Sequence, residues 1–157
     1  MTWRQRRATG DDLDELMALE GAIYPDDPWS REIMAAELAG EHSYYLVAIA
    51  ADGAIDAYAG LLAPIGTGQG DIQTVTVAPR ARRQGLARSM MLQLLNEARR
   101  RGANELFLEV RDDNAGAQAL YTELGFEAIG VRKGYYRGGV DALSMRLNVP
   151  AARAGLA

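Results

Sequence analysis

The pattern of hydrophobic and polar residues differs between segments of this chain. Some segments have the periodicity of a helix, and others have the composition of a strand. From Leu86 to Ala98 an apolar residue returns at every fourth position, which is typical of an amphipathic helix. Residues 72–77 are rich in β-branched side chains instead, and these favour an extended strand. Applied to all segments, the pattern predicts the order β-α-α-β-β-β-α-β-α-β-β, a mixed α/β (α+β) domain.

The predicted elements cover most of residues 1–149, which we interpret as a single domain. We expect strands at 3–8, 44–51, 55–63, 72–77, 106–110, 128–135 and 142–147. We expect helices at 9–23, 30–38, 85–101 and 115–124, the first two capped by Thr9 and Ser30. Two of the helices connect strands that periodicity allows to be parallel. The alanine-rich segment 150–157 lacks an apolar face, so we expect a flexible tail there.

The composition of the 157 residues excludes several classes of site. A chain without cysteine has no disulfide framework, no cysteine nucleophile and no thiolate metal site. The single histidine, His42, lies in no motif that would support a Ser-His-Asp triad, so we interpret it as an ordinary loop or helix-end residue. The sequence has no run of 18 apolar residues and no signal-peptide pattern. We therefore expect a cytoplasmic protein without a membrane span or a metal.

Charge is divided unevenly between the two halves of the chain. Residues 1–71 carry 13 acids and 4 bases, a balance of −9, whereas residues 72–157 carry 8 acids and 13 bases, a balance of +5. Of the 17 basic residues 16 are arginine, whose guanidinium forms forked contacts with phosphate and carboxylate. The overall charge of −4 argues against a general nucleic-acid binder, and the basic half predicts a smaller anionic ligand.

The basic residues concentrate where a predicted strand meets the clearest predicted helix. The strand segment Thr74-Val75-Thr76-Val77 is followed closely by Arg80-Ala81-Arg82-Arg83-Gln84-Gly85-Leu86-Ala87-Arg88. The first N–H groups of a helix lack partners within it and carry the positive end of its dipole. Gly85 and Ala87 allow a phosphate to approach this backbone, and four arginines add positive charge. We predict a phosphate site; the alternative is a solvated basic helix start with a glycine chosen for its turn.

The same loop resembles the signature of a known family. Residues Arg82-Arg83-Gln84-Gly85-Leu86-Ala87 are similar to the Arg/Gln-x-x-Gly-x-Gly/Ala motif of the GCN5-related N-acetyltransferases, the GNAT family. The resemblance implies the GNAT fold, a mixed, mostly antiparallel central sheet of about seven strands with four helices, splayed at the cofactor site. It also implies acetyl-CoA as the cosubstrate, with its pyrophosphate held by this loop and no metal.

Further segments resemble one subgroup, the RimI-type ribosomal-protein-alanine N-acetyltransferases. These segments are Tyr24-Pro25-Asp26-Asp27-Pro28-Trp29-Ser30, Leu108-Glu109-Val110-Arg111, Asn114, Ala119-Leu120-Tyr121, Leu124-Gly125-Phe126, Arg132, Tyr135-Tyr136, Asp141-Ala142 and Met145. The resemblance implies that the acceptor is the N-terminal alanine of a small-subunit ribosomal protein. The candidates to line its peptide groove are Tyr24, Trp29, Tyr135 and Tyr136. Aromatic residues near proline also close hydrophobic cores, and this alternative stays open.

Two side chains are candidates for proton transfer. Alternation places Glu109 on the strand face opposite Leu108 and Val110, where a lone acid is solvated, paired or functional. The alternative for Glu109 is an ion pair with Arg111, and the alternative for Tyr121, on the apolar face of its helix, is a packed core residue. The resemblance implies that Glu109 is the general base, acting through water, and that the Tyr121 hydroxyl protonates the departing thiolate.

The resemblance also assigns the contacts of the cofactor. The backbone N–H groups of Val75, Thr76 and Val77 would orient it and polarise its thioester carbonyl. The residues that would contact the pyrophosphate are Arg82, Arg83, Gln84, Gly85, Leu86, Ala87 and Arg88. Asn114 would contact the pantetheine arm, but it directly precedes a predicted helix, so a capping role is its alternative.

Three functions are compatible with the sequence. The first is the N-terminal acetyltransferase described above, in which the amine attacks the thioester directly. The second is a GNAT acetyltransferase for lysine side chains or a small amine, and the third is a noncatalytic acyl-CoA-binding module. Asp112-Asp113 stand where small or hydroxyl residues are usual in the subgroup, which puts acceptor choice in question. We expect no nucleic-acid or membrane partner; the oligomeric state stays open, and a monomer is compatible with the sequence.

Overall fold

The structure is a computed structural model that describes residues 2–149. Its strands are β1 (Arg4–Arg7), β2 (Ser43–Ile49), β3 (Ile55–Leu62), β4 (Gln69–Val77), β5 (Glu105–Arg111), β6 (Glu127–Arg132) and β7 (Ala142–Asn148). Its helices are α1 (Leu13–Ile23), α2 (Arg31–Ala39), α3 (Leu86–Arg100) and α4 (Ala115–Glu123). Every predicted strand and helix is present in the predicted order. The tail predicted at 150–157 lies outside the described residues, and the single-domain assignment of 1–149 stays a prediction.

All seven strands belong to one sheet with the order β1-β2-β3-β4-β5-β7-β6. Every neighbouring pair is antiparallel except β4 and β5, which α3 connects in parallel. Helix α4 leads from β5 to β6, but β7 lies between these two strands. The two strands that flank α3, β4 and β5, are therefore hydrogen-bonded to each other. The two strands that flank α4, β5 and β6, run in the same direction but are not paired with each other.

The largest differences from the predicted strand bounds, three residues each, are at the start of β4 and the end of β6. β4 begins at Gln69 rather than at residue 72, because residues 69–71 pair with the start of β5. β6 ends at Arg132 rather than at residue 135, because the chain turns at Gly134, where φ is 60°, before it enters β7. Both differences arise at strand ends, where pairing with a distant segment decides the length of the strand.

The sheet is covered on both faces along β2 and β3. Successive side chains of a strand point to opposite faces, so Val47 and Leu46 enter different layers. Val47 packs with Leu16 of α1 and Met34 of α2, and Leu46 packs with Met90 of α3. Residues of both faces are buried in consequence, and the two strands consist almost entirely of apolar side chains.

β4 and β5 separate beyond their first three residue pairs. The parallel ladder ends at Asp71 and Phe107, after which β4 pairs only with β3 and β5 pairs only with β7. An extra residue, Gln73, forms a β-bulge in β4 just beyond that point and bends the strand. The predicted splay is confirmed, and one edge of β4 has no strand partner among the described residues.

Candidate active site

The loop between β4 and α3 has the geometry of an anion-binding turn. Gly85, directly before the first turn of α3, adopts a left-handed conformation with φ 78°. A Cβ at Gly85 would meet no atom within 4 Å, so backbone conformation rather than space favours glycine there. Arg83, with φ 60°, is the one residue other than glycine within 2–149 that has a positive φ. The N–H groups that follow have no partners within the helix, so an anion can bind them.

The four arginines around this turn differ in their availability for an anion. Arg80 donates to Asp56 at 2.8 Å and pairs with Asp52 at 3.3 Å, so two carboxylates already neutralise it. Arg82 donates its Nε–H to a backbone carbonyl at 3.0 Å, and Arg88 forms an exposed pair with Glu123 at 3.2 Å. Within residues 2–149 no ion pair involves Arg83. The sequence therefore predicted the cluster correctly but counted Arg80 as available charge.

The open edge of β4 presents backbone groups of alternate residues. The N–H of Ala78 donates to Asp56 of β3 at 2.7 Å, which fixes the phase of the strand. Backbone N–H groups alternate in direction along a strand. The N–H of Thr76 therefore points toward β3, and the N–H groups of Val75 and Val77 point toward the splay. Of the three N–H groups assigned to the cofactor, two thus face the opening between β4 and β5.

Glu109 lies on the second arm of the splay. Ser144 Oγ of β7 donates to its Oε2 at 2.5 Å, and Arg132 Nε lies 3.1 Å from its Oε1. The side chain remains 24% exposed. Arg111, the alternative partner considered from the sequence, instead donates two hydrogen bonds of 3.0 Å to Asp113. The predicted alternative is therefore wrong, and Glu109 is oriented by two residues of neighbouring strands.

A depression of about 280 Å³ surrounds this carboxylate, with Asp71 on its wall. Burial, together with the charge of Glu109, raises the pKa of the Asp71 carboxyl, so the two acids lie within electrostatic reach. Sequence reasoning did not find Asp71 or Ser144. Arg132 belongs to the segments that carry the resemblance, but local periodicity contains no signal for its contact with Glu109.

Tyr121 combines the two roles that the sequence left open. Its ring is 8% exposed and packs edge-to-face on Phe126, with 6.0 Å between ring centroids. Burial, together with the nearby Tyr24 and Tyr136, raises the pKa of the Tyr121 hydroxyl to about 12. The hydroxyl therefore keeps its proton at neutral pH while the ring belongs to the core. It can act as a proton donor to a departing anion.

Tyr24 and Tyr136 approach this centre from two different loops. The Tyr24 hydroxyl lies 2.9 Å from Thr76 Oγ1 of β4, and burial raises its pKa. Tyr136 is half-buried beneath the Arg111 guanidinium, 5.3 Å from the ring centroid, and burial raises the pKa of its hydroxyl to about 12. Glu109 and Tyr24 both contribute to the raised pKa of Tyr136, so each lies within electrostatic reach of that hydroxyl.

Trp29 and Tyr135 occupy more peripheral positions. Trp29 packs against the cluster between α1, α2 and β3, and its backbone N–H donates to Glu20. Tyr135 is 51% exposed and packs edge-to-face on Tyr136, with 5.0 Å between ring centroids. Trp29 thus has the core-closing contacts that the sequence allowed as an alternative, and Tyr135 lies at the surface.

Asn114 caps helix α4. Its side-chain oxygen accepts the N–H of Ala117 at 3.1 Å, as the capping alternative predicted. The amide NH2 group donates no hydrogen bond to a described residue and remains available to a ligand. The neighbouring Asp113 is held by Arg111, which lowers the pKa of that carboxyl, so the acidic pair in this loop carries less free charge than its sequence suggests.

Two further observations concern residues 2–149 only. No three acidic or histidine side chains in this range are grouped so that they could hold a metal ion. None of its helices is long and apolar enough to cross a membrane.

Comparison with known sequences bears directly on this site. The profile of the Acetyltransferase (GNAT) family matches residues 13–126, which include the turn before α3, Glu109 and Tyr121. The chain belongs to this family. The fold described above is thereby that of a GNAT protein, and the fold predicted from the sequence is confirmed.

Individual relatives agree with this assignment. N-alpha-acetyltransferase RimI of Mycobacterium tuberculosis is 35% identical over 142 residues, which cover 88% of this chain and 87% of the relative. The ribosomal protein bS18-alanine N-acetyltransferase of Escherichia coli is 34% identical over 125 residues, with 78% and 82% covered. The crystal structure of the ribosomal-protein-S18-alanine N-acetyltransferase from Escherichia coli matches with a TM-score of 0.85 at 30% identity and covers 99% of both chains. The chain is an N-acetyltransferase, and its resemblance to the RimI-type enzymes is confirmed.

Proposed function

We propose that this chain transfers the acetyl group of acetyl-CoA to the N-terminal α-amino group, that of alanine, of a small-subunit ribosomal protein. The observation that carries the proposal is the convergence of Glu109, Tyr121, Tyr24 and Tyr136 beside the open edge of β4. A solvated carboxylate and a buried phenol are the two proton-transfer groups that acetylation of an amine requires. Relatives named for this acceptor support the choice of a ribosomal protein.

Glu109 acts as the general base through a water molecule. Ser144 and Arg132 orient its carboxylate while one quarter of the side chain remains in contact with solvent. A peptide α-amino group has a pKa of roughly 7.7–8.0, so a carboxylate can take its proton without an extreme shift. A lysine side chain, with a pKa of roughly 10.4, would remain charged in the same place. This difference favours the α-amino group as the acceptor.

Tyr121 acts as the general acid. A phenol with a pKa of about 12 keeps its proton at neutral pH, so its hydroxyl is available to donate to the sulfur of the leaving group. The departing thiolate of coenzyme A, with an ordinary thiol pKa of roughly 8.5, is a weaker base than a phenolate. It therefore takes the proton as the bond to the acetyl group breaks only because Tyr121 regains a proton from solvent. The packing of the ring on Phe126 keeps the hydroxyl in one position.

Acetyl-CoA supplies an activated thioester acyl group to this arrangement, and the residues present fit it. The turn with positive φ at Arg83 and Gly85 suits a pyrophosphate, and the free amide of Asn114 suits the pantetheine arm. The N–H groups of Val75 and Val77 orient the donor and polarise its carbonyl. The remaining contacts to the pyrophosphate come from Arg82, Gln84, Leu86, Ala87 and Arg88.

The acceptor peptide lies between the segment before α2 and the turn between β6 and β7. Tyr24 and Tyr136 line it from either side, Tyr135 borders its entrance and Trp29 supports one wall. Arg137 and Asp27 connect the two segments across 3.7 Å, and both are exposed. An acceptor with basic residues can compete for Asp27, which makes binding sensitive to salt.

One assay distinguishes this function from its alternatives. Acetyl-CoA is offered with a free Ala-terminal peptide, with the same peptide blocked at its N-terminus but containing lysine, and with no acceptor. We expect thiol release with the free N-terminus alone. Release with the blocked lysine peptide alone would establish a side-chain acetyltransferase, and tight binding of acetyl-CoA without any release would establish a noncatalytic module. A cytoplasmic location and activity as a monomer belong to the same proposal.

A further inference from the structure

A buried carboxylate that has no place in the mechanism above lies at the start of β3. Asp56 is 2% exposed and is the one charged residue of that strand. Its Oδ1 accepts the Nε–H of Arg80 at 2.8 Å, and its Oδ2 accepts the indole N–H of Trp3 at 2.9 Å. Burial of a charge is costly unless hydrogen bonds compensate it, and here both oxygens have a donor. One of the two donors lies in the loop that precedes α3.

The Arg80 side chain is bound by acids of two other segments. Its Nε bonds to Asp56, and its Nη1 and Nη2 lie 3.3 Å and 3.4 Å from Asp52 Oδ2, in the turn between β2 and β3. Every nitrogen of the guanidinium therefore has a carboxylate partner. Because two negative charges offset its positive charge, this arginine adds little to the attraction of a phosphate. Its effect on the loop is that of an anchor.

The backbone of Arg80 belongs to the segment that this anchor holds. Arg80 lies in a short 3₁₀ turn, Pro79–Ala81, shortly after the end of β4. Its carbonyl accepts a hydrogen bond from the side-chain amide of Gln84 at 3.2 Å. The chain from Arg80 to Gln84 is thus closed on itself directly before Gly85 and the first turn of α3. A movement of Arg80 would therefore move the whole loop.

Two contacts of the 3₁₀ turn determine how the loop is oriented. The Ala81 methyl group is fully buried in the core cluster to which α3 also contributes. One buried contact leaves the loop free to rotate about it, whereas the neighbouring pair of Arg80 and Asp56 removes that freedom. The direction of the unpaired N–H groups after Gly85 depends on this orientation. Donors that are already aimed at an anion bind it more tightly, because binding then costs less conformational entropy.

We propose that Asp56 is a positioning residue for the donor: through Arg80 it holds the loop before α3 so that the free N–H groups of the loop face the pyrophosphate of acetyl-CoA. The inference rests on the proposed donor site and adds to it a residue that touches neither the donor nor the acceptor. It also explains why one arginine of the basic cluster is paired with two acids.

Asp56→Val tests the anchor with a side chain of similar size that suits a strand. We expect the Kd for coenzyme A, measured by isothermal titration calorimetry, to rise about 10-fold, and kcat at saturating acetyl-CoA to stay at the wild-type value. If Arg80 were a direct phosphate ligand, its release from a carboxylate would strengthen binding instead. Unchanged or stronger binding in Asp56→Val would therefore refute the proposal.

A double variant separates positioning from a loss of stability. Replacement of a buried ion pair by two apolar residues often leaves a protein as stable as before. The double variant Asp56→Val with Arg80→Leu should therefore unfold near the wild-type temperature but bind coenzyme A as weakly as Asp56→Val alone. Wild-type affinity in the double variant would show a merely structural role. A further loss beyond that of Asp56→Val would show that Arg80 contacts the donor itself, and either result would overturn the inference.

Trp3→Phe is the matched control. It removes the donor to the other oxygen of Asp56 and leaves the bond between Asp56 and Arg80 in place. We expect a lower unfolding temperature, because a buried carboxylate oxygen loses its partner, but the wild-type Kd for coenzyme A. A rise in Kd equal to that of Asp56→Val would show a general effect of any disturbance at Asp56 and would contradict a role through Arg80.

Hydrogen exchange in the ligand-free protein is independent of turnover and of binding. The N–H of Ala81 donates to Ala78 at 2.9 Å, so its exchange rate reports on the order of the 3₁₀ turn. We expect faster exchange at Ala81 in Asp56→Val and the wild-type rate in Trp3→Phe; equal rates in all three proteins would contradict the anchor. A wild type that binds no coenzyme A would refute the proposed function together with the inference, whereas equal binding by the wild type and Asp56→Val would refute the inference alone.

Discussion

Strands β3 and β5 belong to one sheet but meet very different surroundings. Seven of the eight residues of β3 are buried, because α1 and α2 cover one face and α3 covers the other. In β5 only every second residue is buried, namely Leu106, Leu108 and Val110. The alternate residues Phe107 and Glu109 remain in contact with solvent. Glu109, the proposed general base, lies on the strand that the helices leave half uncovered.

The contrast shows how one sheet supplies both a rigid support and an accessible site. β3 anchors β4 by pairing along the splayed segment, and in this way holds the backbone groups that face the opening. β5 diverges from β4 and carries its acid on the uncovered face. Substitutions on β3 should therefore act on stability, and substitutions on the uncovered face of β5 should act on catalysis. The expected effects below are given from the largest to the smallest.

Glu109→Gln tests the catalytic side of the contrast. We expect kcat to fall by about 10²–10⁴-fold, because the amine loses its proton acceptor, while acetyl-CoA still binds. Glu105→Gln provides the control, since Glu105 lies four residues earlier on the same face of β5 and only approaches Arg146 at 3.9 Å. Steady-state rates with an Ala-terminal peptide measure the effect. Normal turnover of the Glu109 variant would show that Glu109 is not the general base.

Tyr121→Phe tests a residue that the core and the site share. Removal of the hydroxyl leaves the ring packed on Phe126, so we expect kcat to fall about 10²-fold with little change in thermal stability. Tyr44→Phe, which removes a hydroxyl far from the splay, should leave kcat unchanged. Equal activities of wild type and the Tyr121 variant would assign Tyr121 to the core alone.

Leu61→Ala tests the structural side of the contrast. Leu61 of β3 is fully buried, and the cavity left by the substitution should lower the free energy of unfolding by about 2–5 kcal/mol. Phe107→Ala on the uncovered face of β5 removes a larger side chain but should cost less stability, because Phe107 is only partly buried. Urea denaturation of both variants measures the difference in the free energy of unfolding. A larger loss of stability for Phe107→Ala would contradict the expected contrast between β3 and β5.

Gly85→Ala tests the turn before α3. The residue must keep a φ of 78°, which costs an alanine about 1–2 kcal/mol, and the strained turn should raise KM for acetyl-CoA several-fold. Gly10→Ala is the matched control, because Gly10 is equally open to a Cβ but has no positive φ. An unchanged KM in the Gly85 variant would argue against a role for this turn in donor binding.

The pH dependence of kcat/KM should show no contribution from Tyr121 in the ordinary range. Because burial raises the pKa of Tyr121 to about 12, its hydroxyl stays protonated below that pH and causes no loss of activity between pH 8 and 10. The rate should instead rise with pH until the acceptor amine is neutral, at roughly 7.7–8.0. A decline that begins near pH 9 in the wild type and is absent in Tyr121→Phe would contradict the raised pKa.

Local patterns in the sequence predicted the strands, the α-helices and the turn at Gly85. Periodicity located α3, and the glycine at position 85 marked the turn that needs a positive φ. Strand alternation placed Glu109 on the face opposite Leu108 and Val110, where the structure also has it. These features depend on neighbours within a few residues, so a single sequence contains them. The ends of β4 and β6 were less well predicted, because distant pairing determines them.

Only the tertiary structure decided which side chains meet. Arg111 pairs with Asp113 rather than with Glu109, whose partners Ser144 and Arg132 come from strands far along the chain. The Tyr24 hydroxyl, at the end of α1, likewise meets Thr76 of β4. Sequence alone determined the elements, the loop motif and the faces of the strands, because these follow from local sterics and periodicity. The register of the sheet determined the site, because contacts between residues far apart in the chain have no periodic signal in the sequence.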